Sequence, residues 1–420
     1  MRRARTIAVA AALGGATLAF YPVARSIARD SDVQDFAQIE RGRKLATLAD
    51  CSACHTQKDG GKPFAGGRPI ETPFGNVIAP NITPDRETGI GNWSDEDFDN
   101  AVRHGTDDEG KRLYPAMPYI YYTKMSRDDV KAIRAYLATV PAVHNEVHAN
   151  QLPFPFSIRW SMNAWDWLFF KAGEFKPDKT KSPEWNRGAF LVTGPGHCGA
   201  CHTPKNFLGG DETDQALRGY AIQGWFAPNI TGDKTRGVGG MSVPDIVALL
   251  KTGHNAVTGV AGPMAEQVAD SSSHFSDADL KAIATYLQSV PAGDAKSPTP
   301  VAQDDPQMKA GQAIYRDSCS ACHGIDGNGV PSLFPSLAKA PQVRAPDPTS
   351  NIRVVLRGAR SAATDAEPTA PAMPSYSWQL KDDQIAAVLT YIRNSWGGAA
   401  AAVSADDVRK QRKDLADRDD

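Results

Sequence analysis

All six cysteines of this 420-residue chain fall in one pentapeptide pattern. CSACH at Cys51 to His55 returns as CGACH at Cys198 to His202 and as CSACH at Cys319 to His323. A C-x-x-C pair can serve as a redox disulfide, as half of a zinc site, or as the attachment point of a c-type haem, and only the last requires a histidine directly after the second cysteine. Two thiols on one helical turn can add to the two vinyl groups of a porphyrin, and the next side chain then lies beneath the ring to bind iron. Zinc needs further ligands at suitable spacing, and a dithiol redox site has no use for the histidine. The pattern predicts three covalently bound haem c groups, held through Cys51 and Cys54, Cys198 and Cys201, and Cys319 and Cys322, with His55, His202 and His323 on the irons. The bland alternative is a structural pair of thiols in each copy.

A second ligand must approach each iron from the opposite side. Thioether sulfur suits haem iron, and a His/Met pair raises the reduction potential. Met117 in YPAMPY, Met264 in AGPMAE and Met373 in APAMPS are the candidates. Met117 and Met264 each follow their histidine by 62 residues and Met373 follows His323 by 50. Each has a neighbouring proline, which is expected to forbid helix and stiffen a loop. A lone methionine is more often a core filler, but equal spacing in two units of differing sequence argues for ligation. The rival histidines do not repeat. His104 and His254 flank a shared glycine position (Gly105, Gly253) on opposite sides, the third unit has Arg357 and Gly358 there, and His144, His148, His197 and His274 lack counterparts.

The elements that must position these groups also repeat. APNIT stands at 79–83 and again at 227–231, and VKAIRAYLATVPA (130–142) is echoed by LKAIATYLQSVPA (280–292) and IAAVLTYIRNSW (385–396). Each of the last three reads as an amphipathic helix closing a unit. Ser126 and Ser276 precede the first two, with Asp129 and Asp279 three residues on, so a serine cap and an acid at the positive helix end are expected. Each unit opens with a helix carrying a glycine, Gly42, Gly188 or Gly311, where the absent side chain would let it cross closely over the closing helix with its Tyr136, Tyr286 or Tyr391.

Residues 36–142, 183–292 and 306–397 are therefore expected to be three small helical domains. Between the first two lies an aromatic-rich linker, 143–182, whose stretch 152–175 holds three of the eight tryptophans and five phenylalanines. So aromatic a segment is expected to be buried along the domain interface, or to serve as a docking face for a partner subunit or the membrane. Residues 293–305 read as a plain tether, and 398–420 as a charged tail, a solvated helix or disordered. At the N-terminus, Arg2, Arg3 and Arg5 precede an apolar run over residues 6–21, so 1–30 reads as an export signal. An uncleaved anchor is the alternative, although the run is shorter than the about 20 residues of a typical span. The formal charge is −2 and no basic stripe occurs, which excludes nucleic acid as a partner.

DCSACHT, FAGG, NITPD, GIGNWSDEDF, RHG and LYPAMPY, followed by RGAFLV, HCGACHTPKN and CSACHGIDGNG, resemble the three-haem cytochrome c subunit of bacterial membrane-bound dehydrogenases. That family serves alcohol, gluconate, sorbitol, fructose and aldehyde dehydrogenases, and the resemblance covers residues 39–396. It implies a mainly α chain of three tandem class I cytochrome c domains, each around one haem, with no catalytic site of its own. It implies too a membrane-associated subunit on the periplasmic side of the cytoplasmic membrane. The partner implied is a large dehydrogenase subunit of quinone, flavin or molybdopterin type, and electrons would pass on to membrane quinone or a terminal oxidase. Its ligands carry over at His55 with Met117, His202 with Met264, and His323 with Met373. Some members end in an amphipathic membrane-binding segment where this tail is charged, which moves membrane association to the N-terminal segment or to partners. Two readings compete: a free or oxidase-linked multihaem shuttle, and a multihaem peroxidase, which needs an open haem face. Replacing Met264 by alanine is expected to turn one low-spin haem high-spin in absorption and EPR spectra; an unchanged low-spin spectrum rules out that ligand.

Overall fold

The computed structural model describes residues 35–293, 298–416 and 418; the expected export signal or anchor lies outside them. The architecture is mainly helical, and the described strands form three two-stranded antiparallel hairpins. Three helix pairs organise the chain. The opening helices Phe36–Leu48, Pro183–Thr193 and Pro306–Ser318 cross the closing helices Arg127–Leu137, Asp277–Ser289 and Asp382–Asn394.

At each crossing the two backbones touch. A Cβ on Gly42 would stand 1.8 Å from the Ala132 carbonyl oxygen, one on Gly188 1.9 Å from that of Ala282, and one on Gly311 2.1 Å from that of Ala387. No side chain fits there, so the helix interval is set by glycine in all three units, as the repeated position predicts. Ser126 caps its helix in a full capping box with Asp129, and Ser276 accepts from the Asp279 amide. The third closing helix lacks the serine and uses Gln384, whose side chain accepts from the Lys381 amide.

Hairpins Pro69–Thr72/Gly75–Ile78 and Tyr220–Ile222/Trp225–Ala227 lead directly into the two APNIT segments. The third unit has instead the short pair Ala359–Arg360/Ala372–Met373. Leu45, Met125 and Ile133 of the first unit and Leu191, Leu280 and Leu287 of the second share one apolar core, whereas the third unit builds its own. The first two units are thus packed as a fused pair, and Ser271 donates across the seam to the Thr47 carbonyl at 2.7 Å.

The connecting segments depart from the sequence reading. Beyond residue 297 the expected tether is laid along the end of the third closing helix: the Val301 amide donates to Asn394 Oδ1 at 3.0 Å and Gln303 to the Asn394 carbonyl at 3.2 Å. The tail forms helix Ala405–Asp414, capped by Ser404, and it is packed rather than solvated. Val408, Gln411 and Leu415 make one buried stripe, because spacings of three and four residues share a helix face even among charges. Gln411 reaches the Gly224 carbonyl of the second hairpin at 3.1 Å, and Arg418 pairs with Glu71 of the first at 2.7 Å. The aromatic segment is only half buried: Trp165 and Phe169 of helix Met162–Phe169 pack inward, while Trp160 and Trp167 face solvent. Gly188→Ala should cost about 2–3 kcal/mol or more through overpacking; urea unfolding of the haem-loaded chain measures it, and a loss under about 0.5 kcal/mol refutes backbone contact at this crossing.

Candidate haem-binding sites

Each C-x-x-C-H pentapeptide is a single helical turn: Cys51–His55, Gly199–His202 after Cys198, and Ser320–His323 after Cys319. All six cysteines are free thiols, so none of the pairs is closed as a disulfide. Burial pushes the thiols of Cys51 and Cys198 up to about 12, and those of Cys54 and Cys319 up to about 11. A redox dithiol works through a thiolate stabilised by lowered pKa, and these environments do the opposite. Among the described residues no group of three or more His, Cys, Asp or Glu side chains gathers to hold an ion, so a zinc reading has no further ligands to draw on.

The histidines are alike in all three units. His55, His202 and His323 are buried, and Nδ1 of each meets a proline carbonyl: Pro80 at 2.7 Å, Pro228 at 2.7 Å and Pro335 at 3.0 Å. A carbonyl can only accept, so Nδ1–H donates and Nε2 keeps its lone pair. Burial lowers the pKa of all three rings, with the proline carbonyl pulling the other way. The donor set is thus two thiols on one turn with a neutral imidazole held in the right tautomer beside them, which fits a covalently bound haem. The three histidine carbonyls are also matched. Each accepts from a glycine amide, Gly66 at 2.7 Å, Gly219 at 2.8 Å and Gly329 at 2.9 Å. Those glycines have φ of 75°, 98° and 65°, and a Cβ on Gly66 would stand 2.5 Å from the Asn81 amide nitrogen.

The proline acceptors went unassigned in the sequence reading, although the APNIT repeat was their signal: Pro80 and Pro228 are its second residue. Within it, Asn81 Oδ1 accepts from the Thr83 amide and Asn229 Oδ1 from the Thr231 amide, turning the chain so that the proline carbonyl faces the imidazole. In the third unit the acceptor comes only 12 residues after the histidine, in FPSLA, so no repeat reveals it.

The methionines occupy three different local structures. Met117 sits in a tight turn, its amide donating to the Tyr114 carbonyl and its carbonyl accepting from the Tyr119 amide at 2.8 Å. Met373 is on the short third hairpin, opposite Ala359. Met264 is not on a loop: it lies in the first turn of helix Pro263–Asp270. Pro263 starts that helix instead of forbidding it, since the first helical residue needs no amide proton and proline presets φ. Met264 packs against a small cluster of Ala265, Val268 and, from the third unit, Ala362. Of the rival histidines, His197 bonds the Pro195 carbonyl through Nδ1, and His254 Nε2 lies 3.7 Å from Glu367 Oε2 of the third unit.

The first two C-x-x-C-H turns are half-buried against neighbouring elements, and the third is more exposed. Tyr122 donates to the Ala49 carbonyl beside the first turn, and its ring meets His197 edge-on at 5.6 Å beside the second. Arg68 bonds the Ala53 carbonyl and Glu266, the latter at 2.7 Å, so the helix bearing Met264 lies over the first turn. Between them Asp50 Oδ1 is sealed from solvent without a hydrogen-bond partner. Burial first, then the Asp270 carboxylate, push the Asp50 pKa up to about 7, with Arg68 opposing. Around the third turn Cys322 is exposed and Ile325 and Leu333 stand in solvent.

The cytochrome c family profile matches residues 39–141 and 308–396. The gluconate 2-dehydrogenase cytochrome c subunit of Pantoea cypripedii is 42% identical, over 95% of this chain and 93% of that protein. The cytochrome c subunit of the quinone alcohol dehydrogenase of Gluconobacter oxydans is 40% identical, over 90% of this chain and 83% of its own length. The fructose dehydrogenase cytochrome subunit of Gluconobacter japonicus is likewise 40% identical, over 89% and 82%.

Because the fold disfavours ionised Asp50, the stability it permits is complete below the unfolded pKa near 3.8 and is lost as pH rises through about 7. Asp50→Asn should remove that loss, raising stability at pH 8 by on the order of 2–4 kcal/mol and leaving it unchanged near pH 3.5. Denaturant unfolding at both pH values checks this; equal gains at the two would contradict it.

Proposed function

The chain belongs to the family of cytochrome c subunits of dehydrogenases, and from that premise we propose that it carries three haem c groups and relays electrons from a large catalytic subunit to membrane quinone or a terminal oxidase. As a member it is an electron-transfer subunit, and substrate chemistry belongs to another chain. The observation that carries the reading is the triple recurrence of one arrangement: two thiols on a turn, a buried imidazole, and a proline carbonyl on its Nδ1.

Haem iron so bound supplies one-electron chemistry. The residues of the chain hold and tune it. Cys51 and Cys54, Cys198 and Cys201, and Cys319 and Cys322 anchor the porphyrin edges in this proposal. His55, His202 and His323 would bind iron through Nε2, and Met117, Met264 and Met373 would supply the second ligand. A haem held by a histidine and a methionine would have no open site for a small oxidant, which would separate this role from that of a peroxidase. The proline carbonyls fix imidazole orientation and basicity, and burial excludes water, so both are levers on potential. Tyr121 and Tyr122 lie where the first and second units meet: Tyr121 donates to Asp211 of the second, and Tyr122 touches His197. That packing keeps two attachment turns side by side.

Export to the periplasmic side follows in this proposal from the covalent haem and from the N-terminal run of residues 6–21. The relatives named for gluconate, alcohol and fructose share this subunit type across different substrates, so the substrate is set by the catalytic partner. The test is to solubilise the membranes gently, purify the chain by its haem absorbance and identify what accompanies it by mass spectrometry. The expected result is one large dehydrogenase subunit, three haems per chain by haemochrome assay, and reduction of all three on adding that enzyme's substrate. Recovery alone or with oxidase subunits, and no substrate-driven reduction, would replace the relay with a shuttle.

A further inference from the structure

Five large apolar side chains stand in solvent on the aromatic segment and on the loop bonded to it. Phe154, Trp160, Trp167 and Phe207 are each between 77% and 87% exposed, and Leu168 is half exposed. Fully buried aromatics remove about 150–250 Å² each, so four of them exceed the few hundred Å² that a monomer ordinarily leaves as apolar patch.

The patch is built rather than frayed. Trp165 points inward from helix Met162–Phe169 and donates Nε1 to the Leu208 carbonyl at 2.9 Å, tying the helix to the loop that carries Phe207. Gly210 packs so closely on the Phe169 ring that a Cβ would lie 2.5 Å from it. Phe156 stacks on Phe74 at 4.8 Å, and its carbonyl accepts from the Tyr114 hydroxyl. These contacts anchor the segment and the loop that carry the outer rings.

Its charges are sorted as well. Between residues 152 and 172 the only acid is Asp166, and it is withdrawn from the surface onto the Tyr119 hydroxyl at 2.7 Å and Arg112 at 3.1 Å. The strap that leaves the helix carries exposed Lys171, Lys176, Lys179 and Lys181. Of its two acids, Glu174 is paired with Arg103 at 3.0 Å and Asp178 accepts from Thr180 in its own turn. Protein interfaces are depleted in lysine. Tryptophan at the surface with lysine beside it suits the headgroup zone of a bilayer, where indole and ammonium both find polar partners and the apolar rings enter the acyl boundary. Lysines in a chain of net negative charge supply the complement to anionic headgroups.

We propose that the face formed by Phe154, Trp160, Trp167, Leu168 and Phe207, bordered by the lysine strap 171–181, seats the protein on an anionic phospholipid surface. The contact is interfacial: the helix is 8 residues long and lies in the plane rather than across it. This goes beyond the electron relay, to which it adds the side of the molecule that faces the membrane.

The test uses the full haem-loaded chain on vesicles of equal phosphatidylcholine and phosphatidylglycerol containing a photoactivatable phospholipid, with cross-linked peptides mapped by mass spectrometry. Cross-links are expected within 154–168 and at Phe207. They should fall at least tenfold in the triple variant Trp160→Ser, Trp167→Ser, Phe207→Ser, whose exposed positions leave the haem spectrum unchanged, and severalfold when the four lysines become glutamine. Cross-links confined to residues 1–34, or absent from these segments, would overturn the proposal. So would protection of the same rings by the catalytic subunit in the purified complex, which would make the face a protein interface. No electron transfer enters the readout, so failure here is distinct from failure of the relay.

Discussion

In each C-x-x-C-H turn a buried imidazole is held through Nδ1 by a proline carbonyl, and the surrounding architecture serves that contact. A buried imidazole is driven toward its neutral form, but neutrality alone leaves two tautomers. The carbonyls of Pro80, Pro228 and Pro335 choose between them. They do so only because the chain between histidine and proline returns to the right place, which in turn needs Gly66, Gly219 and Gly329 to pass close beneath the proline segment. The crossing of opening and closing helices at Gly42, Gly188 and Gly311 gives those turns a rigid base.

The same local design is set in unequal surroundings. The first two turns are sealed by elements of each other's unit, through Tyr121, Tyr122 and the helix bearing Met264, while the third turn keeps Cys322 at the surface. Desolvation and nearby charge are among the levers that set the potential of a haem. Three copies of one motif therefore stand in unequal settings, two in a fused pair and one with an exposed cysteine.

Segments outside the three helix pairs tie the described residues together. Helix Ala405–Asp414 lies on the third unit's core, and Gln411 within it and Arg418 beyond it reach hairpins of both other units at Gly224 and Glu71. The aromatic segment does two jobs along one short helix, with Trp165 as an interior wedge and Trp167 on an outer face. Burial of one side fixes the exposure of the other.

Much of the attachment chemistry was legible in the sequence because it is local. Two thiols and a histidine on one turn are a matter of spacing within a pentapeptide, close-packed glycines recur in each unit, and serine caps recur in the first two closing helices. The tail reads in the sequence as solvated or disordered because charge on every side obscures the helical spacing of Val408, Gln411 and Leu415. Tertiary structure alone decided the rest. On a helix, residues two apart point to opposite sides, so Trp165 and Trp167 had to be divided, yet nothing local says which faces in. Proline beside methionine is compatible with a turn at Met117 and with a helix start at Met264, and only the neighbouring chain selects between them. The acceptor for His323 lies at an unrepeated distance, and the fusion of the first two units depends on side chains more than a hundred residues apart. Such contacts are set by the summed packing of distant surfaces, which no periodicity along the chain records.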